Sequence, residues 1–498
     1  MFCIDYFTPE LLAKQDPSRF AAQSAVPRIS FTFCAAPRGG MEINMLSSVT
    51  AALVFLTGGF FTVRFRAFYA LRPVTVLRAM PLENGVSQML LSLGGTVGVG
   101  NIVGVAVALS IGGAGAVLWM WAGAFFSMAL KYAEITLGML TRRKINGETV
   151  GGAAVYIKDK LGSVAALLFS ILLICDCIMT GGVVQSSAIA ESVSVATGAS
   201  PVAVGIMLSV TVAAVFFLKV DVFRLSVYVV PLMSLGYAVF ALCIIAANIS
   251  SVPPLFSKIF SSAFSFDSAA GGVLGIFAGP ALKQGIVKGL FSNEAGVGTA
   301  PSAHIASAER EPCRQALFGI FEVFVDTVLM CTLTAFSILL ALGDVTGKSG
   351  GASICAAAFE SVFGSTAPLI LAVFISLFAF CTVISFGYYG MQSLSFFGAR
   401  ERAKNVFMIL YCISLFAGAV AAPSIIWEIC DRVVCLMLII NSTADLLSQN
   451  EICTAHKKFY VHIGKYASSA SRTRSRSSLR TKNDIPISEK DKNRGEIS

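Results

Sequence analysis

Stretches of about twenty mostly apolar residues recur from residue 45 to residue 448, and a water-soluble fold of this length has no interior large enough to hide them. Each is long enough to cross a bilayer as a helix, and eleven are legible: 45–63, 86–110, 114–139, 164–192, 201–219, 225–248, 269–296, 316–342, 367–396, 406–426 and 428–448. The seventh is interrupted by Lys283 and Lys288. With 56% hydrophobic residues, the chain reads as an all-α polytopic membrane protein of about eleven transmembrane helices.

Charge placement sets the expected orientation, because cytoplasmic loops retain Lys and Arg. If the first span runs from outside to inside, sixteen basic residues fall in inner loops, among them Arg64, Arg142, Arg310 and Arg400. Only Lys258, Lys348 and Arg432 lie at the outer side. The net charge of +9 is therefore read as topology and not as a nucleic-acid surface. The carboxyl terminus is expected in the cytoplasm, in a multi-pass protein of a bacterial cell membrane.

Three segments follow: an amino-terminal extension over 1–44, a membrane domain over 45–450 and a basic tail over 451–498. Residues 1–40 lack the short basic start and apolar run of a signal peptide. An outward amino terminus would require export of Arg28 and Arg38, so translation is expected to begin at Met41 or Met45. The tail carries SASRTRSRSSLRTK, a composition that cannot form a core. The 13 cysteines show no metal-type spacing, and Cys175 and Cys177 beside Asp176 read as small buried residues.

The second span is unusual. It reads SLGGTVGVGNIVGV, with Gly94, Gly95, Gly98, Gly100 and Gly104, although each interior glycine costs a helix about 1 kcal/mol relative to alanine. Gly100 and Gly104 fit a helix-packing pair. The others, with Thr96 and Asn101, indicate an unwound segment whose free carbonyls and amides face a ligand. Five spans later the seventh contains GGVLGIFAGP, Gly271 to Pro280, which is read as a second break. An odd offset inverts one half against the other, giving a five-plus-five inverted repeat preceded by one extra span. No Walker motif, dinucleotide fingerprint, His-x-x-His cluster or nucleophile with a base is present, so no enzyme chemistry is expected.

The stretches SLGGTVGVGNIVGVAVALSIGGAGAVLWMWAGAFFSMALKYAE, GIVKGLFSNEAGVGTAPSAHIASA, FEVFVDT and FAFCTVISFGYYG resemble the alanine or glycine:cation symporter family over about residues 45 to 450. That resemblance implies uptake of a small neutral amino acid, alanine or glycine, driven by Na⁺ or alternatively H⁺. It also implies a fold like that of the leucine and neurotransmitter sodium symporters, whose first core helix has a G-x-x-V-G-x-G-N break matched here by Gly94 to Asn101. The resemblance places the substrate on Thr96, Gly98, Val99, Gly100, Gln185, Thr382 and Phe386. It places Na⁺ on Gly94, Val97, Asn101, Cys381 and Thr382, with Asn101 either a ligand or an organiser of the break. No cofactor beyond the coupling ion is implied.

Departures from the family pattern are Val99 for a hydroxyl residue, Cys381 for another, Phe386 for tryptophan, Gly182 and Ser187 for asparagines, and Glu311 for histidine. Fewer hard oxygens imply weaker or altered cation selectivity. Among charged residues in spans, Asp326 matches a family aspartate and is expected to be structural or gating. Glu322 lies four residues earlier on the same face. Lys131 and Glu134 are expected to form a local ion pair, Asn293 and Glu294 an inner gate or helix cap near the cytoplasmic face, and His304 part of a loop. An ion channel is the rival from another class, since broken helices and carbonyl ligands also build pores.

Overall fold

The computed structural model describes residues 48–145, 148–264, 279–348, 350–421 and 425–464. The amino-terminal extension, the tail beyond 464 and the stretch Gly271 to Ala278 of the expected second break lie outside them. The helices include α1 (Ser48–Arg64), α2 (Val86–Thr96), α3 (Val103–Gly112), α4 (Ala116–Thr141), α5 (Ser163–Thr197), α6 (Pro201–Phe217), α7 (Val222–Ala247) and α8 (Val252–Ala263). They continue with α9 (Pro280–Asn293), α10 (Ala300–His304), α11 (Pro312–Leu342), α12 (Gly351–Phe363), α13 (Ala367–Phe396), α14 (Glu401–Val420) and α15 (Ile425–Leu447). A short hairpin, β1 (Arg143–Ile145) with β2 (Glu148–Val150), follows α4.

Among the described residues six helical stretches are long and apolar enough to cross a membrane: α4, α5, α7, α11, α12 with α13, and α14. The pair α2 and α3 forms a seventh, bent by 59°. The expected spans at 45–63 and 201–219 appear as shorter apolar helices, α1 and α6.

Helix starts follow local chemistry. Proline stands in the first turn of α6, α9, α11 and α13, where its missing N–H costs nothing. Asp221 Oδ1 accepts from the amides of Phe223 and Arg224 at the start of α7. Along α7, Met233, Tyr237, Ala241 and Ile244 are buried while Leu232, Leu235, Val239 and Leu242 are exposed. The helix is thus apolar on both faces, as lipid contact requires.

Packing pairs the two halves of the chain. The helix α4 lies against α9 and α11, α5 against α13, α6 against α14, and α3 against α9. Glycines permit the closest approaches: a Cβ on Gly58 would stand 2.7 Å from the Phe126 carbonyl oxygen. Three π-helical stretches interrupt this framework among the described residues, Val54–Gly58 inside α1, Cys177–Val184 inside α5 and Phe324–Cys331 inside α11. Such widened turns free backbone groups and recur at functional sites.

Candidate ligand site at two helix breaks

The first break lies where the glycines foretell it. The helix α2 ends at Thr96, Val97 leaves helical geometry, Gly98 is extended, and Val99–Asn101 makes one tight turn before α3. Asn101 is fully buried and ties this turn together. Its Oδ1 accepts from the Gly98 amide at 2.9 Å, and its Nδ2 donates to Ser292 Oγ at 2.8 Å and Asp326 Oδ1 at 2.9 Å. Asp326 in turn accepts from Ser292 Oγ at 2.6 Å and Thr327 Oγ1 at 2.8 Å.

Gly279 is extended and Pro280 begins α9, and the rest of the expected second break lies outside the described residues. Among the described residues a further interruption spans Glu294 to Thr299, between α9 and α10, where Glu294 takes a left-handed conformation with φ 53° and Gly296 and Gly298 have φ 79° and 89°. Asn293 and Glu294 therefore sit at this break. Asn293 Nδ2 donates to Thr327 Oγ1 at 3.0 Å, its Oδ1 accepts from the Ala295 amide, and Glu294 Oε2 accepts from Thr299 Oγ1 at 2.7 Å. Ser292 bonds to both Asn101 and Asp326, so the two breaks meet through one polar cluster.

The opposite wall of the first break is α13. Thr382 Oγ1 donates to the Gly94 carbonyl at 3.2 Å, and Ser385 Oγ to the Leu91 carbonyl at 2.7 Å. A Cβ on Gly98 would lie 2.6 Å from Thr382 Oγ1 and 3.5 Å from Gln185 Oε1. That Gln185 oxygen is buried and has no hydrogen-bond partner among the described residues. Cys381 packs on Gly94, and Phe386 is fully buried against Gly181. Thr96 spends its hydroxyl on the Leu93 carbonyl. A cavity of about 350 Å³ opens beside the break, lined among others by Val99, Val103, Val107, Ser187, Lys288 and Trp427. Of the expected substrate residues only Val99 lines it; Gly98, Gln185 and Thr382 meet one another within the protein instead.

A buried charge network adjoins both breaks, and it corrects the expected local pair. Lys131 reaches Glu322 at 3.3 Å and the Asn293 carbonyl at 2.8 Å, while Glu134 accepts from the Gly298 amide at 3.0 Å. Glu322 also accepts from Ser92 Oγ on α2 and contacts His304 Nε2, each at 2.8 Å, and Gln315 bonds the other ring nitrogen of His304. His304 thus ends α10 inside this network and is not a loop residue. The pairing of Lys131 with Glu322 spans 191 positions, a separation that helix spacing does not reveal.

Residues 40–471 match the model of the sodium:alanine symporter family. The chain is 33% identical over 385 residues to the sodium/alanine symporter AgcS of Methanococcus maripaludis, covering 74% of this chain and 83% of that one. It is 33% identical to the amino-acid carrier protein AlsT of Bacillus subtilis, with 81% and 87% covered. It is also 32% identical to the uncharacterized transporter YflA of Bacillus subtilis, with 86% and 93% covered.

Proposed function

Because the chain belongs to the sodium:alanine symporter family, a family of membrane transporters and not of enzymes, we propose that it takes up a small neutral amino acid, alanine or glycine, by Na⁺-coupled alternating access. The observation that carries this reading is the meeting of two broken helices through Asn101, Ser292 and Asp326. Irregular backbone at membrane depth is tolerated where it is enclosed by protein or lines a cavity, and paired breaks are where secondary transporters bind solute and ion. The pairing of α4 with α11, α5 with α13 and α6 with α14 supports a five-plus-five inverted repeat within eleven spans. The arginine-rich loops then face the cytoplasm.

An α-amino acid is a zwitterion, and both its ends need compensation once water is removed. The amide-rich turn from Thr96 to Gly100, at the amino end of α3, receives the carboxylate. The unpartnered Gln185 Oε1 accepts from the ammonium, with Thr382 beside it and Phe386 closing the site. Carbonyls of Gly94 and Val97 with the Thr382 hydroxyl face Na⁺, while Cys381 contributes only a soft sulfur. Asn101 organises the break, since its oxygen is already given to the Gly98 amide.

Each Na⁺ entering with a neutral zwitterion moves about one charge. At 100 mV that supplies roughly 2.3 kcal/mol, and a tenfold Na⁺ gradient adds about 1.4 kcal/mol. Together they sustain accumulation of several hundred-fold at one-to-one stoichiometry. The test is uptake of radiolabelled alanine and glycine into proteoliposomes with Na⁺, K⁺ or pH gradients imposed separately. Uptake driven by inward Na⁺ alone is expected; uptake indifferent to every gradient, without counterflow, overturns the reading.

A further inference from the structure

Glu134 on α4 and Asp445 on α15 are both fully buried, and among the described residues neither forms an ion pair. They meet at Asn441. The Tyr156 hydroxyl donates to Asn441 Oδ1 at 2.6 Å, which turns the amide nitrogen toward the carboxylates. That nitrogen faces three acceptors: Gly296 O at 2.9 Å, Glu134 Oε2 at 3.1 Å and Asp445 Oδ2 at 3.4 Å. It has two hydrogens. One acceptor is therefore left short of a donor, quite apart from the acidity of the cluster.

The remaining oxygens sharpen the deficit. Glu134 Oε1 and Asp445 Oδ1 are buried with no hydrogen-bond partner, as is the hydroxyl of Ser442, three residues before Asp445 and on the same helix face. Two adjacent carboxylates cannot both stay ionised away from water without a cation. The charged and titratable groups around them are Lys131 on α4, Glu322 on α11 and Tyr156. Lys131 is already engaged by Glu322 and the Asn293 carbonyl. A hard metal ion requires a shell of oxygens, whereas the Gly298 amide and the Asn441 amide direct N–H groups at this pair.

We propose that Glu134 and Asp445 form a binding site for one proton, which tracks the arrangement of the break from Glu294 to Thr299. With the proton present, Glu134 Oε2 holds the Gly298 amide and Asn441 holds the Gly296 carbonyl. Loss of the proton places two like charges side by side, and the pair separates only by releasing one of those two backbone groups. The proton thereby becomes a ligand of one conformation of the break, and its release accompanies the other. The link to transport rests on the proposed symport; occupancy by a proton does not.

Infrared spectroscopy of the purified full chain, with and without Na⁺, tests occupancy directly. The wild type is expected to show the carbonyl stretch of a protonated buried carboxyl in both buffers, and Glu134→Gln and Asp445→Asn each to lose it. Na⁺-driven alanine uptake should fall toward alkaline pH, with the inflection displaced by at least one pH unit in either variant, a tenfold change in proton concentration. Absence of the band in the wild type, its survival in both variants, or its appearance only when Na⁺ is withdrawn overturns the proposal, the last by assigning the site to a metal ion. Should one variant fail to insert, the other and the wild-type spectrum decide. Absence of any Na⁺-driven uptake by the wild type would instead sink the symport reading and leave the spectrum to judge the site.

Discussion

At Gly98 the backbone passes so close to α13 that even a methyl group lacks room. The residue is extended, with φ −132°, so any L-residue could adopt its conformation. The constraint is space alone, because a Cβ would stand 2.6 Å from Thr382 Oγ1. Gly98→Ala is expected to reduce alanine uptake at least about tenfold while insertion persists, since it displaces the threonine by only about 1 kcal/mol's worth of strain. Uptake assays with parallel quantification of inserted protein check this. Asn101→Ala acts differently. It strips partners from the Gly98 amide, Ser292 and Asp326, and each buried group left unsatisfied costs about 1–3 kcal/mol. Both Na⁺-stimulated uptake and the thermal midpoint of the detergent-solubilised protein should fall.

Among elements, the tie between α4 and α11 is the most sensitive to unbalanced change. Lys131→Met leaves Glu322 buried without its lysine, and breaking such a pair typically costs about 3–5 kcal/mol. Adding Glu322→Met is expected to recover part of that loss, measured as the thermal midpoint in a double-mutant cycle; a double-variant loss equal to the sum of the two single losses would show that the pair itself is not coupled. The helix over 449–464 behaves as a second, separable element. Its His456 packs on the rings of Phe65 and Phe68 and meets Tyr132 Oη at 3.1 Å, and burial lowers its pKa from 6.5 to about 4. Between those values the docked ring is neutral while the undocked ring is charged, so docking is at full strength above 6.5 and weakens as pH falls toward 4. Hydrogen exchange in this helix should rise on acidification, and His456→Phe should abolish the response. The break at Gly94 to Asn101 was legible because five glycines in one apolar run exceed what packing needs. The break at Glu294 to Thr299 was obscured, because its glycines are sparser than those of Gly271 to Gly279 and its first residue is a glutamate in a left-handed turn. Asp326 was legible as an intramembrane charge, but its partners Asn101 and Ser292 lie 225 and 34 positions away, beyond any local periodicity.

At the scale of the whole molecule, large apolar side chains stand on the outside of the described residues as well as in their interior. Leu56, Val63, Met207, Val210, Leu232 and Leu235 are exposed, and lipid is the solvent that suits them. Leu235, 69% exposed and midway along α7, is a measure of this. Leu235→Arg should cost insertion about 2.5–3.5 kcal/mol, read as a reduced membrane-integrated fraction in a glycosylation or protease-protection assay, whereas Leu235→Phe should change nothing. The joining of the halves also has a consequence for how the chain is made. Asn101 emerges from the ribosome with an amide and a carbonyl whose partners Ser292 and Asp326 lie 191 and 225 residues downstream. At about 5–20 residues per second, it waits roughly 10 to 45 s for them. During that interval a nascent half-barrier of helices must be sheltered by the insertion machinery, and stalling translation before residue 326 should leave a product marked for proteolysis.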